Sequence, residues 1–526
     1  MEKGKKTKTK QPNVLLLVTD QQRADCLGAL GHPVVKTPNL DKLAGEGVLF
    51  KNTFTTSVMC GPSRACLDTG RYIHANRSTQ NEVSLPIDEK TMGNHFTEAG
   101  YRTACMGKNY YVKDYFFSDP DAKAPVHDYE WYTSTSPGWG DYCFSMAGDS
   151  TPYNKYLKEK GYPENIWRAG YGAFTQGPDG EAIDPGEFKA RNYPTIIKAE
   201  DSETAFMTNK AMEFITEAKQ DENPWILQLN WFNPHSHFVA PEPYHKMYDP
   251  AEVPINRHPD ELKDMHPLHR WMRFERDATP LDNEDYCREL RATYYGMITE
   301  IDDQVGRLRE FLENEGLSDN TIIAFTSDHG EYLGDHWCRE KEMWYDEAYR
   351  IPLIVHDPRS SADKTRGVQD DAWVEIIDIL PTLLDASDIE VPYYIQGNSL
   401  MPMIRQGVTP ADWRTEVHAD FDFRCYWSSE ELGLKPEQCR MWIIRDNDFK
   451  YIFFNGLPDI LYDLQKDPNE FFNVADKPEY KDAVNKYREK MLIWRMSNED
   501  NSRIGWVYKQ RPKFGKNPFH FRHPWD

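Results

Sequence analysis

Four short runs of almost unbroken apolar residues set the frame of the chain. They are Asn13 to Thr19 (NVLLLVT), Trp225 to Trp231 (WILQLNW), Thr321 to Ser327 (TIIAFTS) and Ile351 to His356 (IPLIVH). Runs this short, with little polar alternation, fit strands covered on both faces, as in a parallel sheet. Tyr101 to Gly107 (YRTACMG) reads as a further strand. Between the runs, apolar residues fall three and four apart, the spacing of a helix with one buried side. That spacing predicts helices over Pro38 to Glu46 and over Tyr294 to Glu313. Strand and helix patterns that alternate along a chain predict an α/β fold: an α/β/α sandwich on a large, mostly parallel sheet. No repeat of fixed period interrupts the alternation.

The pattern breaks near 111–195, a stretch rich in Tyr, Trp, Gly and Pro, and near 241–285, rich in His, Pro and charge. Both read as long insertions in a catalytic domain spanning 13–413, and long ordered loops often carry function. Over 414–500 the character changes. Met441 to Ile452 predicts strands of a hairpin or small sheet, LYDLQKDPNE a turn, and Lys481 to Met496 a helix. Together these predict a smaller C-terminal α+β domain. Residues 1–12 form a basic tail expected to be disordered. The tail over 501–526 mixes aromatics with Lys, Arg and His, and is expected to cover the core or a neighbouring subunit of a homo-oligomer.

Composition narrows the function. With 62 basic and 85 acidic residues the net charge is −23, which argues against nucleic acid as a partner. A small anionic substrate remains compatible, because a local cationic pocket can sit in an acidic protein. No stretch approaches the roughly 20 apolar residues of a membrane span. The start, MEKGKKTKTKQPN, lacks the apolar segment of a signal peptide. The 9 cysteines, an odd number, suggest free thiols in a reducing compartment. The expectation is a cytoplasmic protein with no membrane partner.

The candidate chemistry starts at the strand ends. Asp20 and Gln21 close the first run, and Asp328 and His329 close TIIAFTS. In open α/β sheets, ligands bind beyond the carboxyl ends of strands. Carboxylate and amide oxygens suit a hard cation such as Ca²⁺ or Mg²⁺, and histidine moves the balance toward Mn²⁺. The strongest local signal is Cys60-Gly61-Pro62-Ser63-Arg64, followed by Asp68-Thr69-Gly70-Arg71. Arg64, four residues after Cys60, has the helical spacing to fold back on an anion held there.

This motif resembles the nucleophile motif of the sulfatases, Cys-x-Pro-Ser-Arg with Thr-Gly shortly after. TPNLDKLAGEGVLFKN, TSDHGEYLGDH, RIPLIV and IIDILPTLLD extend the resemblance from Asn13 to about Asp476. It is nearest to the arylsulfatase and phosphonate monoester hydrolase group, through CGPSRA, TQNEV and PHSHFVAPEPYHKMY. The resemblance implies an alkaline-phosphatase-like fold and one divalent metal, Ca²⁺ or Mn²⁺, at Asp20, Gln21, Cys60, Asp328 and His329. Many sulfatases carry Asp where Gln21 stands and Asn where His329 stands. It also implies that a maturation enzyme oxidises Cys60 to formylglycine before folding. The hydrated aldehyde has two hydroxyls, one to attack and one to expel the bound acid. Lys108 and Lys341 match lysines that hold the sulfate oxygens, and His235 matches a histidine at the ester oxygen, with His237 a weaker candidate. Asn81 and Tyr110 fit substrate-pocket positions of the phosphonate branch.

The reading placed first is hydrolysis of a sulfate monoester, such as a sulfated carbohydrate or aryl sulfate. The second is a phosphonate monoester hydrolase or phosphodiesterase using the same site. The third, a non-catalytic binding protein of the same fold, predicts a lost nucleophile or metal residue, and none is lost.

Overall fold

The computed structural model describes residues 11–500 apart from 82, 84, 87–88, 109–138, 145–150, 169–171, 188, 256, 259–264, 277–280 and 425–427. Tyr110, the tail over 501–526 and most of the basic tail therefore lie outside the described residues.

The strands of the large sheet are, in chain order, β1 (Asn13–Thr19), β2 (Val48–Phe54), β3 (Arg102–Gly107), β4 (Asp141–Phe144), β5 (Trp225–Asn230), β6 (Thr321–Ser327), β7 (Leu353–His356) and β8 (Val368–Glu375). Across the sheet their order is β8-β2-β7-β6-β1-β5-β3-β4. Central strand β1 explains its own sequence. Val14, Leu16 and Val18 enter the apolar cluster on one face, while Leu15 and Leu17 enter the cluster on the other. With both faces covered, the positions from Val14 to Val18 are all apolar and polar residues are confined to the strand ends, Asn13 and Thr19.

Helices α1 (Pro38–Glu46), α2 (Cys60–Thr69), α3 (Glu203–Ala218), α4 (Glu284–Asn314) and α5 (Ile379–Ala386) complete the sandwich. Leu40 of α1, Phe206 of α3 and Ile301 of α4 pack with Leu15 and Leu17. Leu67 of α2 and Leu380 of α5 pack with Val14 and Leu16 on the opposite face. Helix α4 starts ten residues before its apolar periodicity becomes plain. The Asn283 side chain caps it by accepting from the Tyr286 N–H, and Glu284 and Asp285 favour its positive end.

The IPLIVH run forms β7, which is antiparallel to both neighbours while the other strands run parallel to one another. A parallel neighbour needs a crossover, usually a helix. The connection from β6 carries a 3₁₀ turn at Asp335–Trp337 and a four-residue α-helix at Asp346–Tyr349, too short for a crossover, so the chain turns back instead.

A second, antiparallel sheet contains β9 (Val417–Asp422), β10 (Arg440–Arg445), β11 (Phe449–Phe454) and β12 (Ile460–Asp463), in that order. Helix α6 (Lys481–Ser497) lays Tyr487, Met491 and Trp494 into the same cluster as Tyr451 and Leu461 of this sheet. Among the described residues, no helix is long and apolar enough to cross a membrane.

Candidate active site and metal centre

Strand register assembles the site. Thr19 of β1 lies beside Ser327 of β6, so the next residues, Asp20 and Asp328, leave the sheet side by side. Gly107 of β3 lies beside Asn230 of β5, which brings Lys108 to the same rim. Gly107 has a φ of 83°, and a Cβ there would meet the Asn230 carbonyl oxygen at 1.7 Å, so only glycine fits. The Lys108 N–H then donates to that carbonyl at 2.9 Å. Gln21 follows Asp20 with a φ of 72°, a left-handed conformation uncommon for a side-chain-bearing residue.

Cys60 is the first residue of α2, and every residue of this helix is buried. Its sulfur lies 3.1 Å from His329 Nε2, 3.8 Å from Asp20 Oδ1 and 3.7 Å from Lys108 Nζ. Asn81 braces the start of the helix, its Oδ1 accepting from the Gly61 N–H at 2.9 Å. Ser63 donates to the Asp328 carbonyl at 2.6 Å.

Arg64 does fold back, but onto the carboxylates. Nε donates to Asp328 Oδ2 at 2.9 Å and Nη2 to Asp20 Oδ2 at 3.1 Å. Nη1 donates to the Lys108 carbonyl and to Asn230 Oδ1, both at 2.8 Å. The guanidinium is fully buried and is engaged by the framework of the site rather than left facing an incoming anion.

The remaining cations face Cys60. Lys108 Nζ sits 2.6 Å from Asp20 Oδ2. Lys341 Nζ donates to Gln21 Oε1 at 3.0 Å and to His235 Nε2 at 3.1 Å. An ammonium only donates, so His235 Nε2 accepts, and its Nδ1–H donates to the Ser236 carbonyl at 2.6 Å. Burial and the nearby Lys108 and Lys341 charges push the His235 imidazole down, which keeps it neutral. Burial would raise the Asp20 carboxyl, but the Lys108 and Arg64 charges hold it well below the usual carboxylate range. Two acids complete the surround: Glu331 accepts from Gln21 Nε2, and Glu340 accepts from Ser236 Oγ at 2.5 Å.

The donor set fits a divalent cation. One ligand atom each from Asp20, Cys60, Asp328 and His329 lies within 4.8 Å of all the others, and all four residues are buried. Ligands bound at about 2.1–2.4 Å stand about 3 Å apart as neighbours and up to about 4.8 Å apart across the ion. Gln21 Oε1, reached by Lys341, is available beside them. His329 is already oriented, its Nδ1 lying 2.9 Å from the Gly330 carbonyl, which leaves Nε2 facing inward.

The sequence pattern marks Ser63 only as part of the Cys60 motif and does not single out Asn230, Glu331 or Glu340. Asn230 ends an apolar strand just as Asp20 and Asp328 follow theirs, so the strand-end rule would have found it. Glu340 had no such signal. His237, the weaker candidate, lies beside Gly186, its Nε2 3.7 Å from where a Cβ on that glycine would stand.

The chain is similar to known proteins along most of its length. The family profile described as Sulfatase matches residues 12–389, and the one described as N-sulphoglucosamine sulphohydrolase, C-terminal, matches residues 334–497. The multifunctional alkaline phosphatase superfamily protein PehA of Trinickia caryophylli is 36% identical over 523 residues, covering 93% of this chain and 96% of its own. An arylsulfatase of Clostridium perfringens is 29% identical, covering 92% of this chain and 94% of its own. The phosphonate monoester hydrolase of Agrobacterium radiobacter superposes with a TM-score of 0.83 at 32% identity, covering 93% of this chain and 97% of that structure.

Proposed function

Because the chain belongs to the sulfatase family of the alkaline phosphatase superfamily, we propose that it hydrolyses singly charged phosphonate monoesters and phosphate diesters, with sulfate monoesters as secondary substrates. The order of the two enzyme readings is thus reversed from that suggested by the nucleophile motif. The observation that carries this reading is the likeness to PehA and to a phosphonate monoester hydrolase across nearly the whole chain, which exceeds the 29% identity to the arylsulfatase. Lys108, paired with Asp20 at 2.6 Å, and Lys341, bonded to Gln21 and His235, are the cations placed to meet a singly charged ester.

In this proposal Asp20, Gln21, Asp328 and His329 hold a divalent cation, Ca²⁺ or Mn²⁺, which supplies positive charge at the ester and eases ionisation of a hydroxyl. A maturation enzyme converts Cys60 to formylglycine, which supplies the nucleophilic hydroxyl and the second hydroxyl for release. Lys108 and Lys341 hold the acid oxygens. The start of α2, braced by Asn81, directs its positive end toward the same charge. Neutral His235 accepts from Lys341, so the proton for the departing alcohol comes from the His235–Lys341 pair rather than from imidazolium alone. The third reading, a non-catalytic binding protein, has no support from a residue set that keeps nucleophile, metal ligands and cations together.

The test is kcat/KM measured side by side on para-nitrophenyl phenylphosphonate, bis-para-nitrophenyl phosphate and para-nitrophenyl sulfate. The phosphonate is expected to lead the sulfate by about tenfold, a difference of about 1.4 kcal/mol in transition-state stabilisation. A lead of that size for the sulfate overturns the assignment. Mass spectrometry of the peptide containing residue 60 checks the maturation, which lowers its mass by about 18 Da.

A further inference from the structure

We propose that Glu300, a carboxyl on α4 outside the reaction centre, is a positioning residue that acts through Asn233 to set His235 at the departing alcohol. The proposal rests on the hydrolase reading above, in which the His235–Lys341 pair delivers the leaving-group proton.

Asn233 is a junction. Its Nδ2 donates to Glu300 Oε2 at 3.1 Å, and its carbonyl accepts from the Asp20 N–H at 3.3 Å. Two residues later comes His235, whose N–H donates to the Phe232 carbonyl at 3.1 Å and so closes the turn around Asn233. The Phe232 N–H in turn contacts Glu203 Oε2 at 3.4 Å. The Phe232 ring lies 5.1 Å from the His235 ring, centroid to centroid, and Lys108 Nζ stands 5.1 Å above it. One turn after β5 therefore carries both a contact to the metal-ligating strand end and the proton-delivering histidine.

Glu300 anchors that turn to the body of the protein. It is completely buried, and its other oxygen accepts from Ser202 Oγ at 2.5 Å. Ser202 is also the N-cap of α3, accepting from the Ala205 N–H at 3.2 Å. The carboxyl thus bridges the start of α3 and the His235 turn from its place on α4. Burial pushes it up to about 7, and the bonds from Ser202 and Asn233 act in the opposite sense, so both donors match its ionised form. A bridge with both oxygens engaged and no exposure permits little rotation, and small displacements at a proton-transfer site have large kinetic effects.

A structural support and a positioning group differ in their dependence on the leaving group. A phenyl ester needs proton delivery more than a para-nitrophenyl ester of the same acid, because phenolate is the more basic leaving group. In the mature, metal-loaded enzyme, Glu300→Gln is expected to lower kcat/KM for the phenyl ester about tenfold more than for the para-nitrophenyl ester, with metal content unchanged. Asn233→Ala should show the same skew, and the two changes together should cost less than the product of their separate effects. Equal losses on both esters, or no loss, overturn the proposal. If Glu300→Gln yields no soluble protein, Asn233→Ala decides alone by the same ratio. A wild-type enzyme inactive on phosphonate, phosphate and sulfate esters alike would instead count against the substrate class.

Discussion

Arg64 answers a problem that the buried Asp20–Asp328 pair creates. Asp20 and Asp328 stand side by side with no exposure, and two buried carboxylates repel unless a cation divides them. The Arg64 fork does this from a helix that also carries Cys60, so carboxylate spacing and the position of Cys60 are set together. Replacing Arg64 with Met should destabilise the metal-free protein by about 3–5 kcal/mol, the range for an uncompensated buried charge. Divalent metal should recover part of that loss. The check is thermal unfolding with chelator and with metal: the gap between the two midpoints should widen in the variant, and an unchanged gap would remove Arg64 from this role. One helical turn beyond Arg64, burial pushes Asp68 up to about 8, against the Arg64 charge, from an ordinary 3.8. The folded protein therefore binds this proton more tightly than the unfolded chain. The stability it brings is complete below about pH 4 and declines as pH rises toward about 8. Asp68→Asn cannot ionise, so its stability relative to wild type should improve between about pH 5 and pH 8, as read by urea midpoints. A constant offset between the two proteins would contradict the neutral assignment. Asp20, Cys60, Asp328 and His329 were legible because each sits in a motif or directly after a strand. The engagement of Arg64 was not, because it depends on how far apart two strands hold their last residues.

The elements were read as well as their burial allowed. β1, β6 and α1 matched residue for residue, since strands covered on both faces and a one-sided helix leave unmistakable patterns. β2 went unread because Lys51 and Asn52 interrupt its apolar residues at half-buried positions. β8 went unread because it is an edge strand whose first residues, Val368 and Gln369, are exposed. The direction of β7 was invisible, because an apolar run looks the same whichever way it points. The match at β1 has a mechanical meaning: this strand carries Asp20 and is flanked on both sides by strands that deliver other site residues. Leu16→Ala, at a fully buried position in its middle, should lose about 2–5 kcal/mol in chemical denaturation. A loss below about 1 kcal/mol would mean that the sheet relaxes around the cavity.

At the scale of the whole molecule, the C-terminal sheet supports the centre as well as covering the larger sheet. Lys450 of β11 donates to Asp346 Oδ1 at 2.8 Å and to Glu470 Oε1 at 2.9 Å, and Arg445 of β10 holds Asp346 Oδ2 at 2.9 Å. Asp346 lies five residues after Lys341, and between them Trp344 Nε1 donates to Tyr462 OH at 2.9 Å. Lys450→Met leaves Asp346 and Glu470 short of a buried cation. It should lower both the unfolding free energy, by about 3–5 kcal/mol, and kcat, whereas a stability loss at constant kcat would confine Lys450 to scaffolding. The change in chain character after 413 was legible; that the second sheet holds the Lys341 segment was not, because ion pairs between remote segments leave no local pattern. Remote pairing also has a consequence in time. Cys60 and His329 are 269 residues apart, and β1 obtains its β6 neighbour only when the latter has been made. Ribosomes add about 5–20 residues each second, so residue 60 emerges roughly 15–50 s before the strand that will seal it in. If Cys60 is the maturation target, the late synthesis of β6 sets the interval in which the converting enzyme must find the nascent polypeptide.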